Sequence, residues 1–353
     1  MIKCALVSLI SLTSFAMGGE VEDFVDDAGK KHGEFGEKAA RFLAEGMPKS
    51  DRETLKKDFL MTNLDLALKA RAQFRWAKDL PEEVFFNDVL PYASLDETRE
   101  DWRTFFHPKC AELVKGATTT TEAAQAINKG IFNLIKVHYN TGRKAPNQSP
   151  SESIKLGMAT CTGLSIILVD ACRSVGVPAR VAGTALWSNK RGNHTWAEIY
   201  DGGKWFFTGA DEFDAKGLNR GWFTGDASKA IEGKWQHAIW ASSWKKADSF
   251  FPMVWNIKNR EVAGVNVTSR YVQKEEGSAG VVYLRVWDTE GGKRLVATLN
   301  GSVKTKAGKA DLNDMAELKA KTGDALKVTF GDETREAILP ESKTVDLYWD
   351  QLK

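Results

Sequence analysis

The sequence predicts an α+β fold with a helical N-terminal region, a mixed helix-and-sheet core and a C-terminal antiparallel β-sandwich. Helix-forming composition extends from Glu20 to about Lys115. An apolar helical segment that begins at Cys161 is followed by two aromatic strands, and short alternating apolar runs occupy the chain after Val262. We therefore expect a leader over 1–18, a helical region over 19–118, a core over 119–261 and a β-sandwich over 262–353.

Length and composition exclude several classes of protein. The chain has 353 residues, 42% of them hydrophobic, and a formal net charge of +2. This length is enough for two or three domains. A nearly neutral chain has no basic surface for nucleic acid, and no apolar run beyond the leader is long enough to span a bilayer. We expect neither a nucleic-acid partner nor a membrane span.

The first 18 residues have the pattern of an export signal. Lys3 precedes an apolar stretch from Ala5 to Phe15, and Ala16-Met-Gly18 offers the small residues that a signal peptidase recognises. Cys4 stands ahead of the apolar stretch, so we do not expect it to carry a lipid. The pattern predicts a periplasmic or secreted protein.

Cys161 is the candidate nucleophile. It opens an apolar segment that runs to Ser174 and is followed by Gly176, as in a buried helix with a glycine stop. A cysteine in the first turn of a helix faces the positive end of the helix dipole, which favours the thiolate. The same unpaired amides can hold an oxyanion.

His194 is the candidate base, and a predicted hairpin supplies the acid. Strands from His194 and from Trp205 flank a Gly-Gly turn, and continuing their register from the turn sets His194 opposite Asp211. A carboxylate there would orient the imidazole. A β-bulge at Gly209 would bring Glu212 beside the histidine instead, so the register favours Asp211 and leaves Glu212 as the alternative acid.

The stretch from Gly157 to Trp222 resembles the transglutaminase-like core, a papain-like thiol fold. The resemblance extends over about residues 120–250 and implies Cys161 as nucleophile, His194 as base and Asp211 or Glu212 as acid. Two positions depart from the common pattern: Ala159 replaces a frequent glycine, and the acid follows Trp205 at a longer distance than usual. The matching pieces are Cys161-Thr-Gly163, Cys172-Arg-Ser-Val-Gly-Val-Pro-Ala-Arg180, His194-Thr-Trp196 and Gly203-Lys-Trp205.

Two further residues are candidates for the cleft. Gln148 lies in the loop before the cysteine helix, where its amide is a candidate oxyanion donor, although a structural role is the alternative. Trp187 precedes His194 in a tryptophan-rich stretch and is the candidate aromatic wall of the cleft, whereas most of the other tryptophans are expected in the core.

The remaining cysteines and histidines predict no metal site. After removal of the leader the chain keeps Cys110, Cys161 and Cys172, and neither a Cys-x-x-Cys pair nor a paired histidine spacing occurs. A bond between Cys110 and Cys172 is one alternative, and two buried free thiols are the other. His138 falls at the end of an amphipathic helix predicted over Thr121–Asn140 and is expected to be structural. No cofactor is expected.

These residues predict thiol-dependent acyl transfer at amide bonds. The resemblance favours hydrolysis of a peptide or related amide, because bacterial proteins with a similar core are often regarded as peptidase-like. Protein-glutamine transamidation and glycan release from asparagine are alternatives that share the acyl-enzyme chemistry or the core. The expected partner is a peptide or protein, with a glycan or cell-wall peptide as a further possibility. An exported peptide- or glycan-binding protein with an inactive triad is the alternative from another class.

Overall fold

A computed structural model describes residues 19–272, 280–307, 315–321, 323–340 and 342–353. The predicted export signal over 1–18, including Cys4, lies outside the described residues. The helices are α1 (Gly19–Gly46), α2 (Lys49–Thr54), α3 (Lys57–Gln73), α4 (Arg75–Lys78), α5 (Glu82–Asp88), α6 (Trp102–Leu113), α7 (Thr120–Ile135), α8 (Pro150–Leu156), α9 (Cys161–Ser174) and α10 (Thr224–Ala227). The strands are β1 (His138–Tyr139), β2 (Met158–Ala159), β3 (Ala179–Thr184), β4 (His194–Asp201), β5 (Lys204–Thr208), β6 (Trp240–Ser243), β7 (Ala263–Asn266), β8 (Gly280–Trp287), β9 (Thr298–Leu299), β10 (Val303–Lys304), β11 (Ala316–Ala320), β12 (Ala325–Phe330), β13 (Glu333–Ile338) and β14 (Thr344–Tyr348).

A five-stranded antiparallel sheet forms the centre of the fold. Its order is β5-β4-β3-β6-β7, and α9 packs on β3 and β4 with α6 and α7 beside it. The sheet extends through β7, so it passes residue 261, where the sequence suggested a boundary. Because α9 is buried from Thr162 to Ser174, the apolar pattern of this segment is explained by its place in the core.

The N-terminal helices and the sheet share one hydrophobic core. Phe24 and Leu43 of α1, Leu64 of α3 and Phe106 of α6 are buried in the same cluster as Ile167 of α9. A second, aromatic cluster contains Trp187, Trp196 and Phe223, together with residues of β3 and β6. The helical region therefore packs as part of the core that carries the site.

The C-terminal segment forms two sheets around a core of its own. Their orders are β10-β9-β12-β13 and β11-β8-β14, and their inward side chains include Leu284, Val286, Leu299 and Val328. The alternating runs of the sequence predict strands over Val281–Trp287, Arg294–Thr298, Ala325–Phe330 and Thr344–Trp349, and all but the second are present with closely similar bounds. The strand pairs of these two sheets are antiparallel. The exception is the pair of β8 and β14, which is parallel.

The helix predicted over Thr121–Asn140 is shorter than expected. It ends at Ile135, because Lys136 adopts a left-handed backbone with φ of 57°. His138 and Tyr139 then form β1, which pairs in parallel with β2 just before Cys161. This pairing brings the end of the predicted helix to the cysteine segment. Among the described residues, no helix has both the length and the apolar character needed to cross a membrane.

Candidate active site

Cys161 is the first residue of α9 and the half-buried end of an otherwise buried helix. The helix starts with the Leu164 amide donating to the Thr160 carbonyl at 3.0 Å, so the first-turn amides have no partner within the helix. Arg143 Nε donates to Thr160 Oγ1 at 2.7 Å, which places a guanidinium group beside the same turn. The thiol thus stands at the positive end of a rigid element.

His194 begins β4 and lies within a ring of aromatic side chains. It is 5% exposed, and its ring centroid is 4.7 Å from that of Trp222 and 4.8 Å from that of Phe223. Burial lowers the pKa of His194 from its ordinary value to about 3. The imidazole is therefore neutral at physiological pH, and its enclosed Nε2 has no hydrogen-bond partner among the residues that the structure describes.

One hydrogen bond links the two segments that carry these side chains. Thr162 follows Cys161, Thr195 follows His194, and their hydroxyls lie 2.9 Å apart in the interior. Cys161 and His194 both line one cavity of about 400 Å³. The other lining residues are Tyr139, Leu164, Asn193, Thr195, Ala210, Asp211, Glu212 and Trp222.

The predicted hairpin forms, but its register does not reach His194. Asp201 pairs with Lys204, and the ladder continues to the pair of Ala197 and Thr208. Beyond Thr208 the chain leaves the strand, and Asp211 adopts a left-handed backbone with φ of 63°. The expected cross-strand pair of His194 and Asp211 is therefore wrong.

Asp211 instead attaches the cavity wall to β1. Its Oδ2 lies 3.0 Å from Nδ1 of His138, and its amide donates to Oδ1 of Asn128 at 3.0 Å. Partial burial raises the pKa of the Asp211 carboxyl, although His138 opposes this effect. The carboxylate thus contacts a histidine other than the candidate base.

Glu212 is the acid that is linked to His194, through the side chain of Trp222. Its Oε1 accepts from Nε1 of Trp222 at 2.9 Å, and the ring of Trp222 packs against His194. A Cβ at Gly209 would overlap the Glu212 carboxyl, so the missing side chain leaves room for this carboxyl. Gly209 therefore allows the Glu212 carboxyl to occupy this position by close packing, whereas the sequence suggested that Gly209 would form a β-bulge.

Gln148 and Trp187 lie outside the lining of the cysteine cavity. Gln148 is buried, with Oε1 accepting from the Lys144 amide at 2.7 Å and Nε2 donating to the Met158 carbonyl at 3.0 Å. Both ends of the Gln148 amide are therefore bonded within the loop before α9, and they give no support to an oxyanion role. Trp187 is buried and stacks on Trp196, with its ring 6.2 Å from that of His194, so it supports the histidine from behind.

Two aromatic residues of the cavity, Trp222 and Tyr139, were not identified from the sequence. Trp222 contacts His194 and donates to Glu212, and the density of tryptophans around it was its only signal. Tyr139 is 61% exposed and lines the cavity beside Cys161. Partial burial, and then the nearby Cys161, raise the pKa of Tyr139. The sequence assigned Tyr139 to the helix predicted over Thr121–Asn140 and therefore did not indicate its place in the cavity.

The other two cysteines of the described chain are buried free thiols. Burial raises the pKa of Cys110 to about 12 and raises that of Cys172 as well. Cys161 is the half-buried thiol of the three. No group of three histidine, cysteine or acidic side chains is arranged to hold a metal ion within the part of the chain that the structure describes.

Residues 108–210 match the family described as the transglutaminase-like superfamily. The chain therefore contains a transglutaminase-like domain. The matched stretch includes Cys161 and His194 and ends one residue before Asp211. Together with the placement of these side chains, the transglutaminase-like domain supports thiol-dependent chemistry at amide bonds in general terms.

Two solved structures are similar to parts of the chain that carries this transglutaminase-like domain. One is described as a candidate cysteine protease from Cytophaga hutchinsonii, with 22% identity and a TM-score of 0.31 over 41% of this chain and 48% of that one. The other is described as a candidate protease from Parabacteroides distasonis, with 10% identity and a TM-score of 0.28 over 53% of this chain and 30% of that one. The chain thus covers less than half the length of either. No curated protein matches it.

Proposed function

We propose that this protein hydrolyses amide bonds of peptides, with Cys161 as nucleophile, His194 as general base and Glu212 as the acid that supports the histidine. The observation that carries the proposal is the cavity of about 400 Å³ whose wall contains all three side chains. A cysteine buried away from any cleft would have favoured a binding protein with an inactive triad. The position of Cys161 on a cavity wall argues against that alternative.

The burial of His194 explains why an acid is required. A neutral imidazole has an unprotonated nitrogen that accepts the thiol proton as the sulfur attacks the amide carbonyl, but burial alone makes it a weak base. The imidazolium that results would stand within aromatic side chains, where an unpaired charge is costly. A carboxylate on the same wall offsets this cost, and Glu212 is held there by Trp222.

The remaining steps use groups already described. The amides of the first turn of α9 stabilise the oxyanion, and His194 returns its proton to the leaving amine as the carbon–nitrogen bond breaks. This leaves a thioester on Cys161. Water that loses a proton to His194 then attacks the thioester, releasing a carboxylic acid and restoring the thiol. Interception by an amine would give transamidation from the same intermediate.

A diverse tryptic peptide library tests the proposal. The protein is incubated with the library and a biotinylated alkylamine, and new peptide termini and biotinylated peptides are identified by mass spectrometry. We expect new carboxyl termini that disappear in Cys161→Ser and His194→Ala. Biotinylation in place of new termini would establish transamidation, whereas release of asparagine-linked sugars from added glycopeptides would establish glycan removal.

The reactivity of Cys161 distinguishes an enzyme with an unknown substrate from a binding protein. We expect iodoacetamide to alkylate Cys161 at pH 7 faster than it alkylates a free cysteine. Removing His194 should slow this reaction. Slow alkylation that is independent of His194, together with no new termini, would overturn the proposal.

We further propose that the protein is exported, because residues 1–18 have the charge, apolar stretch and small residues of a signal peptide. The mass of the protein recovered from the native source, measured by intact mass spectrometry, tests this. Loss of the leader is expected, and retention of residues 1–18 would contradict export by this route.

A further inference from the structure

A second cavity, of about 310 Å³, lies beside the first. Asn193 and Trp222 line both cavities and so form their common wall. The far side of the second cavity belongs to the C-terminal β-domain. Its other lining residues are Trp187, Arg191, Asp226, Arg285, Ser342, Thr344 and Asp346.

Most charges in this cavity are neutralised within the protein. Arg285 donates from Nε and Nη2 to the two carboxylate oxygens of Asp346 at 2.7 and 2.8 Å. Asp226 accepts from Asn189 Nδ2 at 2.7 Å and from Arg191 Nη2 at 3.3 Å. The two acids balance the two arginines, so the cavity favours a polar ligand without a large net charge.

Arg191 is the charged residue of this cavity that is best placed to contact a ligand. Its side chain is 68% exposed, and its contact with Asp226 is long for a charge-assisted hydrogen bond. The loop that carries it is fixed by the Trp187 amide, which donates to the Gly192 carbonyl at 2.7 Å. A guanidinium group on a fixed loop just before His194 can therefore donate to a carbonyl of a ligand that passes Trp222.

The two cavities together fit a peptide ligand of several residues better than a small amide. Each lies near the lower end of the range of roughly 300–1,000 Å³ that is usual for ligand sites. A ligand that fills both must cross the common wall at Trp222. The planar amide groups of a peptide backbone can pack on flat indole rings, and each residue also offers hydrogen-bonding groups to the polar side chains around them.

We propose that the substrate is an extended polypeptide, and that its segment on one side of the scissile bond occupies the second cavity. The C-terminal β-domain then supplies part of the substrate site, with Arg191 as a specificity residue opposite it. This inference rests on the proposed hydrolysis for its kinetic consequence. Its binding consequence does not depend on turnover.

The kinetic test compares long and short forms of one substrate. The peptide bond that the wild-type protein cleaves fastest in the library is placed in a ten-residue peptide and in forms truncated to two residues on either side. We expect the wild-type protein to cleave the long form with a higher kcat/KM than one of the truncated forms. In Arg191→Gln, the ratio of long to short should fall by about 10- to 100-fold, the effect of losing a hydrogen bond to a charged group. Lys190→Gln, one position earlier on the same exposed loop, is the matched control and should keep the ratio.

Binding tests the subsite if no peptide is cleaved. The Cys161→Ser protein is immobilised, and the peptides it retains from the library with added glycopeptides are identified by mass spectrometry. We expect retained peptides to be lost when Arg191→Gln is added and kept when Lys190→Gln is added. Equal retention by both variants, equal kcat/KM for long and short forms, or retention of glycopeptides alone would overturn the inference. Absence of cleavage with Arg191-dependent retention would remove the proposed hydrolysis and leave the polypeptide site in place.

Discussion

Glu212 and Asp211 are adjacent in the chain but have different surroundings. Asp211 contacts His138, whereas Glu212 accepts from Trp222, whose ring packs against His194. In the sequence the two acids differ by one position of register, which local pattern cannot resolve. The partners of each carboxyl distinguish them, and those partners are distant in the chain.

Glu212→Gln should therefore impair the reaction more than Asp211→Asn. Glutamine keeps an oxygen for the Trp222 indole but removes the negative charge, so we expect kcat/KM to fall by roughly 10²- to 10⁴-fold. Asp211→Asn should cost about tenfold or less, because its carboxyl contacts His138 and not the rings around His194. The assay uses the peptide substrate from the library, and a larger loss in Asp211→Asn would reverse the assignment.

The buried imidazole of His194 links stability to pH. Its pKa of about 3 in the folded protein lies below the value of about 6.5 expected in the unfolded chain. Between these values the unfolded chain binds a proton that the folded protein does not, so acidification favours unfolding. This contribution to stability is complete above about pH 6.5 and is lost as the pH falls towards 3.

Comparing wild type with His194→Gln measures this effect. Between pH 7 and 5, the free energy of unfolding of wild type should fall by about 2 kcal/mol more than that of the variant. The difference between the proteins is the diagnostic quantity, because burial also raises the pKa of Asp88 to about 6, which acts in the opposite sense in both. Denaturant unfolding at each pH provides the values, and parallel pH profiles would show that His194 is not buried as described.

At the scale of elements, local signals predicted the structure wherever local contacts determine it. The helix from Cys161 to Ser174 has the bounds that its sequence predicts, and the Gly-Gly turn sets the hairpin register as far as Thr208. Beyond Thr208 the chain is directed by Asn128, whose Nδ2 donates to the Gly209 carbonyl at 2.8 Å. Asn128 belongs to α7, about 80 residues earlier in the chain than Gly209, so no local pattern could reveal the contact.

Other elements were missed for the same reason. β1 has two residues, and its pairing with β2 depends on the path of the chain between them. Alternation predicted strands β8 and β14 but carries no information on their relative direction, which is parallel. The predicted strand over Arg294–Thr298 contributes only a bridge from Arg294 to Trp287 before β9 begins at Thr298.

The turn after β5 offers a test at this scale. Gly209→Ala places a methyl group against the Glu212 carboxyl, which must then move from Trp222. We expect kcat/KM to fall by about 10- to 100-fold and the free energy of unfolding to fall by about 1–3 kcal/mol. Gly233→Ala is the control, because a Cβ there meets nothing within 4 Å. Retained activity in Gly209→Ala would show that Glu212 need not occupy this position.

For the whole molecule, the two ends of α9 have different roles. The first turn faces the cavity, while the last carbonyls are buried under the N-terminal helices. Arg103 Nη1 donates to the Arg173 carbonyl at 3.0 Å, His107 Nδ1 lies 2.8 Å from the Ser174 carbonyl, and Trp76 Nε1 donates to the Val175 carbonyl at 3.0 Å. Side chains of the helical region thus satisfy groups that a helix end leaves unpaired. The region is part of the structure that positions Cys161.

Arg103→Met tests this dependence across the whole chain. Arg103 is buried and donates to several carbonyls besides that of Arg173. Its loss leaves these carbonyls unpaired and should lower the free energy of unfolding by about 1–3 kcal/mol. Because the helical region and the central sheet share one core, hydrogen exchange should accelerate in both. Alkylation of the buried Cys172 should accelerate with it. The β-domain, which has its own core, should keep its exchange rates. Arg75→Met, at an exposed position nearby, is the control. Faster exchange confined to α6 would show that the helical region is a separate unit, and the cavity geometry would then not depend on it.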